Sequence, residues 1–252
     1  WIVDSPVMEL YTAPIKNSWN RVFIFDHEQY NDIAPFNPTC VFHFPLAVNI
    51  MQKQSVISNA TSTMRNKFKS QVSFVGSLYT EKCPFDKLKN ASAYLIGYLD
   101  GIMATQLKIY GSYLIDDVLP DSIVTEFKKC MPGFYQPPIE NYLTDRDIVS
   151  QLYIGNKLSA LERTQLFDIL SRNFPVDLYT GSDTRNLPLV NNRGFAKTLT
   201  EMPIIFHESN INLNITSKAI RSGVSLRVFD IFACEAVSYT HLRAHETRSN
   251  LV

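Results

Sequence analysis

Short apolar runs that end at polar or turn-forming residues recur along the chain. Each run has the length and the β-branched or aromatic content of a buried strand. Asp26, Pro45 and the pair Gly76-Ser77 close the earlier ones. The runs predict strands at residues 21–25, 41–44, 72–75, 176–179 and 211–215.

Helical periodicity fills the intervals between these predicted strands. One predicted helix leads directly into the strand at 176–179, and a mostly helical stretch covers residues 86–128. Strands that alternate with helices predict βαβ units and parallel sheets, so the expected fold class is α/β. The helix before the strand at 176–179 is marked, at helical spacing, by Leu161, Arg163, Leu166, Ile169 and Leu170.

A polar segment at residues 51–70 lacks strand character, and we interpret it as a linker between two α/β units. Residues 1–50 would be the remainder of an N-terminal Rossmann-like domain. The second domain would span residues 71–236, opening with a strand at 71–75 and carrying a helical insertion near 84–150. A chain of two domains is therefore expected.

Composition and charge narrow the range of functions only slightly. The 252 residues include 24 Lys and Arg against 24 Asp and Glu, so the chain is formally neutral. Neutrality gives no support for a nucleic-acid partner bound through phosphate neutralisation. No apolar run reaches the ~18 residues of a membrane span, so no transmembrane segment is expected. The 4 cysteines form no CxxC pair and no zinc module, and reduced thiols in a cytoplasmic protein are the expectation.

The end of the chain has an unusual pattern. Residues 237–247, VSYTHLRAHET, match the translation of a common transposase-based sequencing adapter without interruption. His241, His245 and the adjacent Glu246 have metal-ligand spacing on a helix, but adapter translation is the preferred interpretation. Natural sequence is expected to stop at about Ala236, which makes the rest of the chain a non-native tail. The chain is also expected to begin inside a fold, because its opening residues have the pattern of a strand interior.

The first candidate junction is Gly76-Ser77, which ends the strand at 72–75. Glycine lets the backbone approach a ligand closely, and its free N–H group can face a phosphate. The alternative is a turn glycine with a purely structural role. Gly76-Ser77 therefore predicts a phosphate contact only if a second phosphate-binding feature lies beside it.

The second candidate junction is a loop that leads into a predicted helix. Ser225 has the residue type of an N-cap, and Leu226 would start the helix. The helix N-terminus, with Gly223 before it and Arg221 and Arg227 beside it, is an expected anion site.

Asp230 lies one turn into this helix, on its more polar flank with Arg227. A carboxylate at that position could accept hydrogen bonds from sugar hydroxyls. The alternative is a local ion pair between Arg227 and Asp230 on a core helix, and the sequence leaves both open. The buried stripe of the helix is predicted to be Leu226, Phe229 and Phe232–Ala233.

The sequence names no firm general base. Asp4 is a candidate because it follows the first strand, where α/β sheets place residues that face a cleft, although a capping or turn role before Pro6 is the preferred interpretation. His27 and His43 are further candidates, although a structural role is the preferred interpretation of His43. His207 is expected to be structural. The Asp-x-Asp letters at 145–147 are interpreted as a charged helix start.

Several of these segments together resemble the bacterial CgeB/YkvP-like glycosyltransferases, a family named after spore-maturation proteins. The matching segments are SFVGSLYTEK at 73–82, TEMP at 200–203, INLN at 211–214 and IRSGVSLRVFD at 220–230. WIVDSP at 1–6 and FPLAVN at 44–49 resemble the domain of unknown function that precedes the transferase domain there. The resemblance covers nearly all of residues 1–236, and its specificity comes from the combination.

The resemblance implies a GT-B architecture, in which two Rossmann-like domains face a cleft and the second binds a nucleotide-diphosphate sugar. Relatives carry one Glu in the loop before the helix and another Glu within the helix that holds the nucleotide ribose. Here Ser222 lacks the carboxylate of the first position, and Asp230 keeps one at the second. The Cys-Gly-Gly run that usually follows the helix is replaced by residues 234–236, CEA.

The implied activity is transfer of a sugar from a nucleotide-diphosphate donor to an unknown glycan, protein or lipid-linked acceptor. Arg227 and the helix start would hold the diphosphate, and Asp230 would hold the ribose. Members of this fold commonly need no bound metal, because helix dipoles and basic side chains neutralise the leaving diphosphate, so no cofactor is expected. The expected donor-binding residues are Gly76, Ser77, Arg221, Ser222, Gly223, Arg227 and Asp230.

Other functions remain open at this point. One is a non-catalytic nucleotide- or carbohydrate-binding protein of the same fold, which the loss of a carboxylate at Ser222 favours. Another is a structural protein of spore or envelope assembly. The chain itself is expected to be inactive as a transferase, because a GT-B cleft needs both domains complete.

Overall fold

A computed structural model describes residues 2, 8–11, 13–137 and 142–240 of the chain. These residues adopt a mixed α/β fold built on two parallel sheets, which confirms the predicted fold class. Asp4, His241, His245 and Glu246 lie outside the described residues.

All of the predicted strands are present close to their expected positions. In the smaller sheet, β1 (Val22–Ile24) pairs in parallel with β2 (Val41–His43), and Ile2 adds an isolated bridge to Ile24. The larger sheet has five parallel strands in the order β5-β4-β3-β6-β7. Its strands are β3 (Ser70–Val75), β4 (Val176–Tyr179), β5 (Asn191–Asn192), β6 (Ser209–Asn214) and β7 (Ser238–Thr240).

Helices connect the strands and include the predicted helix before β4. Among the helices of the described residues, none has both the length and the hydrophobicity that a membrane span requires. Short 3-10 helices occur at Met8–Tyr11, Ala13–Lys16, Ala34–Phe36, Thr80–Lys82 and Pro84–Lys87, and a π-helix at Ile148–Ile154. The α-helices are α1 (His27–Ile33), α2 (Ile50–Ser58), α3 (Ser62–Phe68), α4 (Ala93–Gln106), α5 (Ile115–Val118), α6 (Asp121–Cys130), α7 (Asp145–Asp147), α8 (Gly155–Ser171), α9 (Met202–Glu208) and α10 (Leu226–Ala233).

Helices pack on both faces of the larger sheet. On one face, Phe167 of α8 packs with Phe74 of β3 and Leu178 of β4. On the other face, α9 and α10 contribute Phe206 and Ile231 to a cluster against Val75 of β3. Strands buried on both faces are typical of parallel sheets whose crossover helices alternate between faces.

The order of the strands reverses at β3. From β3 the chain moves outward through β4 to β5, and it then returns to the opposite side of β3 to form β6 and β7. The gap between the carboxyl ends of β3 and β6 is therefore a topological switch point, the position where open parallel sheets bind ligands.

The predicted linker at 51–70 consists of α2, α3 and the first residue of β3. Asn49 caps α2 by accepting the N–H of Gln52 at 3.0 Å, and Thr61 caps α3 by accepting the N–H of Met64 at 3.3 Å. Both helices pack against α9 through apolar side chains. The segment is thus part of the helical layer on one face of the sheet.

The helices of the predicted insertion near 84–150 form a layer with its own core. Leu99, Phe127 and Tyr153 lie at its centre and are almost completely buried. Leu158 near the start of α8 belongs to the same cluster, so the layer is joined directly to the helix that covers the sheet.

The buried stripe predicted for α10 is wrong in part. Phe232 is 52 % exposed, and Leu226 and Phe229 are only partly buried. The residues that α10 buries are Val228, Asp230, Ile231 and Ala233. The helix is therefore rotated from the expected orientation, and its buried face includes a carboxylate.

Part of the expected non-native tail pairs with the larger sheet. Residues Ser238–Thr240 form the edge strand β7, in parallel register with residues 212–214 of β6. Ladder hydrogen bonds join backbone groups, so this pairing places few demands on the side chains.

Candidate functional site

A cavity of about 210 Å³ opens at the carboxyl ends of β3 and β6, at the switch point. We call this cavity the crevice. Its walls come from the loops after β3 and β6, from α8 and from the start of α10. Its polar lining includes Ser77, Lys82, Arg163, Asn214, Ser225 and Arg227.

Gly76 and Ser77 line the crevice as predicted, but their polar groups already have partners. The N–H of Gly76 donates to the carbonyl of Tyr179 at 3.1 Å, so the expectation of a free glycine amide is wrong. This bond extends the ladder between β3 and β4. The hydroxyl of Ser77 donates to Glu81 Oε1 at 2.6 Å, and Ser182 donates to Glu81 Oε2 at 2.7 Å. Burial alone would raise the pKa of Glu81, but these hydrogen bonds together lower it.

Helix α10 begins at Leu226, as predicted, with Ser225 in the N-cap position. Ser225 is therefore the N-cap residue, as predicted, but its side chain makes no capping bond. Its hydroxyl donates to Asn214 Oδ1 at 3.2 Å. The positive end of the helix dipole consequently lies beside the crevice without a cap from this residue.

Arg227 is a partly buried cation in the crevice wall, with its side chain 30 % exposed. Its Nη1 lies 2.5 Å from the sulfur of Met202 and 3.4 Å from Asp230 Oδ2. Burial lowers the pKa of Arg227, and the nearby Asp230 opposes this effect. Asp230 lies closer to Lys53, at 3.1 Å, and the guanidinium of Arg227 can therefore also pair with an anion in the crevice.

Lys82 and Arg163 add positive charge to the same cavity. The Lys82 ammonium lies 5.6 Å from the ring centre of Tyr79, and the Arg163 guanidinium lies 4.5 Å from it. In the part of the chain that the structure describes, neither cation forms an ion pair with a carboxylate. With Arg227, these residues make the crevice a site for an anion.

Asp230 does not line the crevice; it is buried in the interface between α10 and α2. Its Oδ1 lies 3.1 Å from the Nζ of Lys53, and both side chains are nearly inaccessible. The alternative prediction of a local ion pair with Arg227 is confirmed, although that contact is longer. The carboxylate expected to hold a ribose is therefore already paired with a lysine of α2.

Arg221, Ser222 and Gly223 contact the first α/β unit. The N–H of Arg221 and the hydroxyl of Ser222 donate to the carboxylate of Asp26 at 2.9 and 2.8 Å. A Cβ added at Gly223 would lie 2.5 Å from the ring of Phe25, so the absence of a side chain there allows the two units to approach. These expected donor-binding residues thus lie at the contact between the units.

A second cavity, of about 440 Å³, lies beside this contact. Arg221 and Ser222 line it together with Glu28, Asp116 and Asp117. Burial raises the pKa of Asp116, against a hydrogen bond that it accepts from Ser150. The acidic lining distinguishes this cavity from the basic crevice.

His43, His207 and the Asp-x-Asp segment take structural positions. His207 Nδ1 lies 3.0 Å from the carbonyl oxygen of Cys234, and His43 Nε2 lies 3.3 Å from that of Phe25. His27 opens α1. Residues Asp145–Asp147 form α7, whose first turn is closed by a capping box with Thr144, so the predicted helix start is confirmed. Among the side chains that the structure describes, no group of three or more His, Cys, Asp or Glu could hold a metal ion.

Sequence reasoning missed several polar residues of the crevice, among them Lys82, Arg163 and Asn214. Arg163 left a signal, because it occupies a position in a helix that is otherwise marked by apolar residues. A charged residue at such a position has to be buried or to face a ligand. Asn214 and Lys82 lie in short segments with no comparable pattern.

Comparison of the chain with models of protein families, with curated proteins and with solved structures finds no match. The geometry of the crevice and the resemblance of the quoted motifs are therefore the grounds for the proposal below. The fold is established at the level of parallel α/β units.

Proposed function

We propose that the crevice binds the diphosphate of a nucleotide sugar and that the protein belongs to a glycosyltransferase system of GT-B architecture. The observation that carries the proposal is the convergence of Lys82, Arg163 and Arg227 on one cavity at the switch point. The start of α10 borders the same cavity and adds the positive end of its dipole. A diphosphate supplies two adjacent negative groups for this arrangement.

Positive charge at the diphosphate would also serve the reaction. When the bond between the anomeric carbon and the donor phosphate breaks, negative charge accumulates on the departing diphosphate. Cations and helix dipoles that are already in place stabilise this charge without reorganisation. Arg227, at the start of α10, is the residue we assign to this role. The acceptor would enter from the side of the first α/β unit, which contacts the loop before α10.

A second candidate function is nucleotide-sugar binding without turnover. The observation that favours it is the engagement of Ser222 and Asp230, which bond to Asp26 and Lys53. Neither side chain extends into the crevice. Release of free nucleotide diphosphate from a bound donor would distinguish transfer or hydrolysis from simple binding.

Replacing Arg227 with alanine is expected to weaken nucleotide-diphosphate binding by about 10- to 100-fold, because it removes a charge-assisted contact in a partly desolvated site. A thermal-shift screen of nucleotide sugars would first identify the ligand that raises the melting temperature of the unaltered protein. Calorimetric titration of that ligand into the Arg227→Ala variant then gives the change in affinity.

Arg172→Ala is the matched control for this experiment. Arg172 pairs with Asp168 at 2.8 Å, and its side chain is 65 % exposed, away from the crevice lining. Its replacement should leave the affinity unchanged. If Arg227→Ala binds the nucleotide sugar as tightly as the unaltered protein does, Arg227 is not part of the binding site.

A further inference from the structure

Arg163 is a buried arginine whose charge is only partly compensated. Only 8 % of its surface is exposed. Among the described residues no carboxylate lies within ion-pair distance of its guanidinium, and its Nε has no hydrogen-bond partner. Burial lowers the pKa of Arg163, because the charged guanidinium is less stable in the protein interior than in water. An anion that binds beside a buried cation without a carboxylate partner therefore lowers the free energy of that cation.

The bonds that Arg163 does make join the two walls of the crevice. Its Nη1 donates to the carbonyl of Ser77, and its Nη2 donates to the carbonyl of Ile215, each at 2.5 Å. Ser77 follows β3 and Ile215 follows β6, so a single planar group spans the switch point. The guanidinium also lies 5.5 Å from the ring centre of Phe74 and 4.5 Å from that of Tyr79. These contacts hold the guanidinium in a fixed position in the crevice wall.

We propose that Arg163 positions both walls of the crevice and that a bound diphosphate supplies the negative charge that its guanidinium lacks. The inference rests on the proposed function, since it assigns this charge to the diphosphate of the same site. The start of α10, which Ser225 leaves without a side-chain cap, lies on the same cavity and favours the same ligand. Lysine cannot reproduce this arrangement, because its single nitrogen lacks the two separate donor nitrogens that the planar guanidinium directs at the two carbonyls.

Inorganic pyrophosphate tests this inference without knowledge of the nucleotide or the sugar. Calorimetric titration of the full chain should show that Arg163→Met binds pyrophosphate about 10- to 100-fold more weakly than the unaltered protein. Arg163→Lys should recover part of this loss, because it restores the charge but not the fork. Arg172→Met, at the end of the same helix, should bind as the unaltered protein does.

A structural role for Arg163 alone predicts a different pattern. Both variants lose the bridge between the carbonyls, so the affinity would fall equally in Arg163→Met and Arg163→Lys, and that result would overturn the proposal. Unchanged affinity in Arg163→Met, or no pyrophosphate binding by the unaltered protein, would also overturn it. If Arg163→Met does not fold, Arg163→Gln takes its place as the neutral variant: weaker pyrophosphate binding than in Arg163→Lys supports the proposal, and an equal loss in the two variants contradicts it.

Failure of the proposed function gives a separate result. In that case pyrophosphate binds and depends on Arg163, but no nucleotide sugar of the thermal-shift panel binds or competes with it. If instead a nucleotide sugar binds through Arg227 while Arg163→Met keeps full affinity for pyrophosphate, the proposed function stands and the inference on Arg163 falls.

Discussion

Replacing Asp230 with asparagine is expected to lower the free energy of unfolding by about 3–5 kcal/mol, because it removes the anion from a buried ion pair. Lys53 would keep its charge in an interface where its side chain is 7 % exposed. The asparagine amide can accept a hydrogen bond from Lys53, but it cannot neutralise the positive charge of the lysine. Urea denaturation monitored by circular dichroism measures the change.

Asp168→Asn is the matched control for this prediction. Asp168 pairs with Arg172 at 2.8 Å on an exposed helix surface, and such pairs contribute about 0.3–0.5 kcal/mol. The double variant Lys53→Met/Asp230→Leu should regain most of the stability lost in Asp230→Asn, since a hydrophobic pair of similar volume replaces a buried ion pair at little cost. If Asp230→Asn is as mild as the control, the ion pair between Asp230 and Lys53 does not stabilise the packing of α10 against α2.

Replacing Asp26 with alanine is expected to cost about 3 kcal/mol, because one carboxylate caps a helix and also joins the two α/β units. Asp26 is completely buried and accepts the N–H groups of Glu28 and Gln29 in the first turn of α1. The same carboxylate accepts the N–H of Arg221 and the hydroxyl of Ser222 from the loop before α10. Its removal takes this acceptor away from all four donors at the contact between the units, where the N–H of Glu28 keeps only the hydroxyl of Ser222.

Asn49→Ala separates the two contributions. Asn49 also caps a helix, α2, but its side chain accepts an exposed N–H from Gln52 and joins no second unit. Its replacement should cost about 1 kcal/mol, the usual value for an N-cap. Hydrogen exchange should become faster at residues 221–223 in Asp26→Ala and stay unchanged there in Asn49→Ala. Equal stability losses in the two variants would contradict the role of Asp26 between the units.

The strands were the most predictable part of the fold. The run Val176–Tyr179, for example, is short and mostly apolar and is followed by a turn, so both its composition and its boundaries indicate a strand. The order of the strands was not predictable, because it depends on which face each crossover takes. The orientation of α10 was mispredicted for a related reason: Asp230 is buried by its pairing with Lys53, which lies far away in the sequence.

The crevice lies where the sequence placed the candidate site, but only some of the predicted residues line it. Gly76, Ser77 and Arg227 line the crevice, because the ends of parallel strands and the starts of the following helices meet at one edge of a sheet. Arg221 and Ser222 lie in the same loop as Arg227, but they contact Asp26 of the other unit. Sequence spacing within one loop cannot separate residues that face a cavity from residues that face a neighbouring unit.

Hydrogen exchange with and without the bound nucleotide sugar tests the central assignment most directly. If the crevice is the donor site, the ligand should slow exchange in the loop after β3, in residues 214–217 and in the first turn of α10. Residues 111–117, which line the acidic cavity, should be unaffected. Protection confined to residues 111–117 and 221–222, with none at the ends of β3 and β6, would contradict it.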